Sequence, residues 1–182
     1  MIVVSRFARN ERGAAALEFA LVSLPFLSII IFIMFIALTE FFNVQLDYAV
    51  QKSARQVMIG SVQTKAITKS QFRTNYVCAT LPVVMSCNDV IVNLQTVTES
   101  TQPKGYYQFV NANTTAINVP QLSNASTTFS PGAQNDYEYL QVIYPVTYLP
   151  RFMNNIISGG AVYNGSPAFL LISTIAFRNE SY

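Results

Sequence analysis

The chain contains no histidine and no tryptophan, and only two cysteines in 182 residues. Without histidine, the commonest general base and metal ligand is missing, and Ser-His-Asp and Cys-His sites are excluded. Charge is scarce too. Asp, Glu, Lys and Arg make up 11% of the residues, against about a quarter in a soluble domain. The formal net charge is +2 with no basic stripe, so no nucleic acid is expected as a partner. The acids after Glu18 are scattered and form no paired-carboxylate motif. No glycine-rich phosphate loop occurs. No catalytic residue, metal site or cofactor is expected, and the chain does not read as an enzyme.

What the chain has instead is grease: 51% of its residues are apolar. It begins MIVVSRFARNERG, where Arg6, Arg9 and Arg12 outweigh Glu11. From Phe19 to Thr39 run 21 residues without a charge. As a helix, that run spans about 30 Å, roughly one hydrocarbon core. It is apolar on every side, which suits lipid. Basic residues before it, and none close after it, predict a cytoplasmic N-terminus and a single-pass topology. Residues beyond 40 then lie outside the inner membrane.

Three kinds of segment fit such a run. A cleaved secretory signal has a shorter core, usually about 7–15 residues, and small residues at its cut; Thr39-Glu40-Phe41-Phe42 fits that poorly. A plain uncleaved anchor is the second. The third is a pilin-type signal, cut ahead of the apolar run, which is then kept. Glu18 favours the third. A carboxylate at the mouth of an apolar segment is costly unless paired or near the interface. Cutting Gly13–Ala14 would give Ala14 a free amine four residues before Glu18, on the same helical face. Glu18 would also sit near a new helix N-terminus, where the dipole favours negative charge.

The stretch RGAAALEFALVSLP, from Arg12 to Pro25, resembles the TadE-like minor pilins of the tight-adherence (Tad) pilus apparatus. That family has a short basic leader, then Gly, four residues, Glu and an aromatic, then a long apolar helix. The resemblance makes Gly13 the last leader residue and Ala14 the new N-terminus after cleavage by an aspartic prepilin peptidase. Glu18 and Phe19 become assembly residues at the head of the helix. AVQKSARQVMIG (Ala49 to Gly60), Phe129-Ser130-Pro131-Gly132, LQVIYP (Leu140 to Pro145) and the Arg178-Asn179-Glu180 ending are similar to later family features. A TadF-like sibling would share them.

The helix is expected to continue past the membrane. Phe42, Leu46, Ala49, Val50, Ala54, Val57 and Met58 recur at helical steps among polar residues, which makes an amphipathic segment, and Gly60 is a plausible cap. Pro25 removes one backbone bond and predicts a helix kink, either as an aid to leaving lipid for a filament or as an ordinary transmembrane proline. Cys78 and Cys87 are expected to form a disulfide in an oxidising compartment, the alternative being two buried thiols.

A short helix over 65–76 and strands over 90–97, 139–149 and 168–177 follow, with one more possible at 104–110 in a polar tract. Residues 150–157 read as a short helix or loop. Pro145 predicts an edge or bulge. The outer tyrosines Tyr106, Tyr107, Tyr137, Tyr139, Tyr144 and Tyr148 suit sheet packing with wet tips, or contact with a partner or sugar. The expected fold is α+β and pilin-like, a long helix packed on a small antiparallel sheet of three or four strands. The domains are a leader (1–13), a long helix (14–60; 19–39 transmembrane, 40–60 amphipathic) and an extracytoplasmic domain (61–182) with a long loop at about 98–136. The expected partners are the inner membrane, prepilin peptidase, other pilin and pseudopilin subunits and Tad assembly-platform proteins. A signal-anchored envelope binding protein that never polymerises is the other reading.

Overall fold

The computed structural model describes residues 11–97, 127–146 and 149–182. The chain divides after Phe41 into two units, Met1–Phe41 and Phe42–Tyr182. One helix, α1 (Glu11–Met58), supplies the described part of the first unit and continues into the second.

In the first unit α1 is apolar all round from Phe19 to Thr39, and none of its described large side chains is buried. Phe19 is 75% exposed and Leu24 73%. A helix on a soluble core would bury one stripe and leave the rest polar. Among the described residues, α1 is the helix long and apolar enough to cross a membrane. Its few polar side chains are turned back onto the backbone. Ser28 Oγ donates to the Pro25 carbonyl at 2.8 Å, and Thr39 Oγ1 to the Phe35 carbonyl at 2.9 Å. Such bonds leave no hydroxyl hydrogen stranded in an apolar medium. Pro25 lies inside α1 and the helix continues through it.

From Phe42 onward the pattern changes to one buried stripe. Phe42, Leu46, Ala49, Val50, Ala54 and Val57 are buried, while Gln51, Lys52 and Arg55 face out. Ser53, buried on the same face, donates to the Ala49 carbonyl at 2.7 Å. Met58 is only half-buried. Gly60 closes the helix in the left-handed region, at φ 74°. A single turn, α2 (Ser61–Thr64), follows, then α3 (Lys69–Phe72), entered through a capping box between Thr68 and Gln71. α3 runs on as a π-turn to Val77, so the expected short helix is real but ends irregularly.

The sheet is antiparallel, in the order β1 (Ile91–Val97), β2 (Tyr137–Val146), β5 (Phe169–Arg178). Leu94 pairs with Leu140 and Leu140 with Ile175. Leu140, Val142, Tyr144 and Val146 occupy one fully packed face of β2. Gln141 and Ile143, on its other face, are buried as well. Pro145 does sit where β2 is locally an edge, because β1 pairing stops at Ile143 and only β5 continues alongside.

Beside β1, within the stretch expected to be loop, Thr128 and Ser130 exchange backbone bonds with Leu94, and Phe129 pairs with it in parallel. Phe129 packs on Phe72, their ring centroids 5.4 Å apart. Between β2 and β5 lie α4 (Arg151–Ile157) and a hairpin of β3 (Val162–Tyr163) and β4 (Ser166–Pro167). The strand expected at 104–110 lies outside the described residues, as do Tyr106, Tyr107 and Tyr148. The architecture is the expected α+β one, a long apolar helix with a small antiparallel sheet.

Candidate functional site

Gly13, Ala14, Glu18, Phe19 and Pro25 all lie on the single helix α1. Gly13 is exposed, and nothing approaches within 4 Å of where its Cβ would be. Among the described residues, no packing demands glycine there. Glu18 is exposed one helical turn beyond Ala14, and Phe19 projects beside it. Among the described residues the site is therefore a run of exposed helix surface, with Glu18 near its start and apolar side chains beyond.

Cys78 and Cys87 are joined by a disulfide, with their Cα atoms 5.7 Å apart. It closes a loop whose tip, Val83 and Val84, is fully or largely exposed. Two 3-10 turns, Cys78–Thr80 and Cys87–Asp89, bracket that loop. The second turn delivers Asp89 to Tyr163, whose hydroxyl donates to Asp89 Oδ1 at 2.8 Å. Burial, and then the bond and charge of Asp89, push the Tyr163 hydroxyl above its ordinary pKa, so it keeps its proton and stays a donor. These two residues border a cavity of about 530 Å³. An apolar hollow of about 360 Å³ lies elsewhere, bordered by Val97, Tyr137, Tyr139 and Ala176.

Glu138 is a functional-looking residue that sequence reasoning missed. It is 1% exposed, accepts from Thr96 Oγ1 at 3.1 Å through Oε1, and leaves Oε2 without a hydrogen-bond partner. Burial pushes its pKa up to about 7; the Thr96 bond opposes the rise, and the Asp136 charge adds to it. The backbone of Gly132 lies so close that a Cβ there would strike the Glu138 carboxyl. The signal was present, since Glu138 stands two residues before Leu140 on the packed face of the same strand. Tyr144 is buried and Tyr137 is 43% exposed under the Arg178 guanidinium, which lies 5.5 Å from its ring centroid. These tyrosines serve chiefly as sheet packing.

Together these features define a class, an α+β domain carried on one long apolar helix of a kind compatible with single-pass anchoring. Residues 13–55 match the family model described as TadE-like protein. The match begins at Gly13, takes in Ala14, Glu18, Phe19 and Pro25, and ends within the buried stripe of α1. The similarity to TadE-like proteins is thus confined to the helical segment. No curated protein and no solved structure matches the chain.

Proposed function

We propose that the chain is a minor pilin or pseudopilin of a Tad-type pilus. A prepilin peptidase removes residues 1–13 by cutting Gly13–Ala14. The mature protein waits in the inner membrane with its second unit in the periplasm. It then joins or primes a filament by packing its N-terminal helix among other pilin subunits and Tad assembly-platform proteins, and so serves pilus biogenesis and surface attachment. Glu18 pairs with the Ala14 amine of its own chain or of a neighbour. Losing the leader removes three arginines and one glutamate and leaves the remaining side chains balanced in charge. Net charge therefore does not steer assembly.

One observation carries this reading: an uncovered apolar helix begins with an acid one turn after the residue that cleavage would expose. Lipid covers such a surface before assembly, and other helices can cover it afterwards by close packing. N-terminal sequencing of the membrane-extracted protein tests it. A mature chain starting AAALEF is expected. An intact Met1 start would instead support a signal-anchored envelope binding protein, a reading that the cavity beside Tyr163 also allows.

A further inference from the structure

We propose that Ser130-Pro131-Gly132 is a proton-operated flap over the start of β2, shut while the buried Glu138 carboxyl is neutral and released when it ionises. The inference does not rest on the pilus reading, because every residue concerned belongs to the second unit.

Glu138 is closed to solvent, and its Oε2 has no hydrogen-bond partner. A sealed carboxyl of that kind is far costlier as an anion than as a neutral acid. The groups packed around it do little to offset a charge. From β1 comes Thr96, directly opposite, whose hydroxyl gives Oε1 one neutral bond at 3.1 Å. The segment before β2 brings Asp136, a second negative charge, whose Oδ2 already accepts from the Ala133 amide at 2.7 Å. β5 places Phe177 opposite Glu138. Its cation, Arg178, lies instead over the Tyr137 ring and donates through Nε to the Asn135 carbonyl at 3.0 Å. Tyr137 and Tyr139 alternate onto the other face of β2.

The flap is what keeps water out. A Cβ on Gly132 would strike the Glu138 carboxyl and stand 3.0 Å from both Asp136 Oδ2 and Thr96 Oγ1. Three oxygens thus crowd one glycine, and a hydrated carboxylate has room there only if Gly132 lifts. The hold on the flap is slight. The Ser130 amide donates to the Leu94 carbonyl at 2.9 Å, and the Ser130 carbonyl accepts from Thr96 Oγ1 at 3.4 Å. Thr96 has one hydroxyl hydrogen, and an ionised Glu138 would draw it away from Ser130. Pro131 has no N–H to give. The flanks are pinned more firmly. Lys69 Nζ donates to the Thr127 carbonyl at 2.7 Å and Phe129 packs on Phe72, while the Asn179 side chain donates to the Ala133 carbonyl at 2.9 Å. Movement is therefore confined to the three residues between them.

The direction follows from linkage. The shut flap favours the neutral acid, with a pKa of about 7 against an ordinary 4.5. Closure is strongest in acid, weakens as pH rises between those values, and loses this support above about 7.

The test is hydrogen–deuterium exchange of single amides, read by NMR on the full chain in dodecylphosphocholine micelles at pH 5.5 and 7.5 and corrected for the intrinsic pH dependence of exchange. Protection of the Ser130 amide should fall at least about tenfold between the two pH values. It should also exchange faster than the Leu140 amide of the central strand at both, which marks a local opening and not global unfolding. Glu138→Gln cannot ionise, so its Ser130 protection should keep the acid value throughout. Gly132→Ala should leave Ser130 poorly protected at both pH values, because the added methyl props the flap open. A circular-dichroism melt shows that each variant is folded. Ser130 protection in the wild type that does not change with pH overturns the proposal. So does a change that Glu138→Gln retains, or exchange at Ser130 no faster than at Leu140.

Discussion

The amide of Glu180 donates to the carbonyl of Met58 at 2.8 Å. That bond ties the strand-leaving end of the sheet to the last turn of α1. Just beyond it, Gly60 lies against the Tyr182 ring, so closely that any Cβ would meet ring atoms. Gly60→Val is therefore expected to destabilise the second unit by about 2 kcal/mol or more, combining left-handed strain with a steric clash. Adding Tyr182→Ala should restore part of the loss, the clash but not the strain. Thermal melts of the four corners of that double-mutant cycle measure both parts.

Glu138 predicts a pH dependence of stability. Its folded pKa of about 7 stands above its ordinary 4.5. The folded state thus holds a proton that the unfolded state has released between those values. This contribution is fully present below about pH 4.5, fades as pH rises toward 7, and is gone above it. Its size is on the order of 3 kcal/mol at most. Glu138→Gln should flatten the profile and leave the variant more stable than the wild type at pH 8. Urea titrations of the full chain in micelles at pH 5, 6, 7 and 8 check the slope and its loss.

Reducing the Cys78–Cys87 disulfide, or replacing both residues by Ser, should cost about 2–3 kcal/mol by freeing the loop it closes in the unfolded chain. Alkylation of the native protein should find no free thiol until reductant is added.

Val83 and Val84, at the tip of that loop, should tolerate change. Val83 is 103% exposed and Val84 74%. Val83→Ser should leave stability within about 0.5 kcal/mol of the wild type, as surface substitutions do. A large drop in melting temperature would show that the tip is covered in the folded protein.

Glu18→Gln should leave the melt of the second unit unchanged, because the residue is exposed on the first. It should nevertheless abolish incorporation into pili if the carboxylate pairs with an amine during docking. Sheared-pilus immunoblots beside whole-membrane blots separate the two effects.

Local periodicity made much of this fold legible. The switch at Phe42 from an all-apolar helix to a one-striped helix is written in residue spacing, and so are the strands around Leu94, Leu140 and Leu171. Less legible were features made by partners distant in sequence. The parallel bridge between Phe129 and Leu94 uses backbone groups, which every residue carries. Burial of Gln141 and Ile143 on the second face of β2 does not follow from alternation, which marks one face only. The hairpin turned at Asn164 and Gly165 has two-residue strands, too short for any pattern. The cavity at Tyr163 needs Asp89, Asn154 and the hairpin together, and no single stretch contains all three. At the N-terminus the reverse held. Gly13, Ala14, Glu18 and Phe19 lie along one helix, so their arrangement is already given by their spacing in the sequence.

The order β1-β2-β5 also dictates when the protein can become native. β2 cannot complete its pairing until Phe169–Arg178 have been synthesised, and Met58 waits for Glu180. Contacts so distant in sequence form late. Folding of the second unit therefore waits on its last strand, and a product truncated before Phe169 would carry the apolar helix with an incomplete sheet.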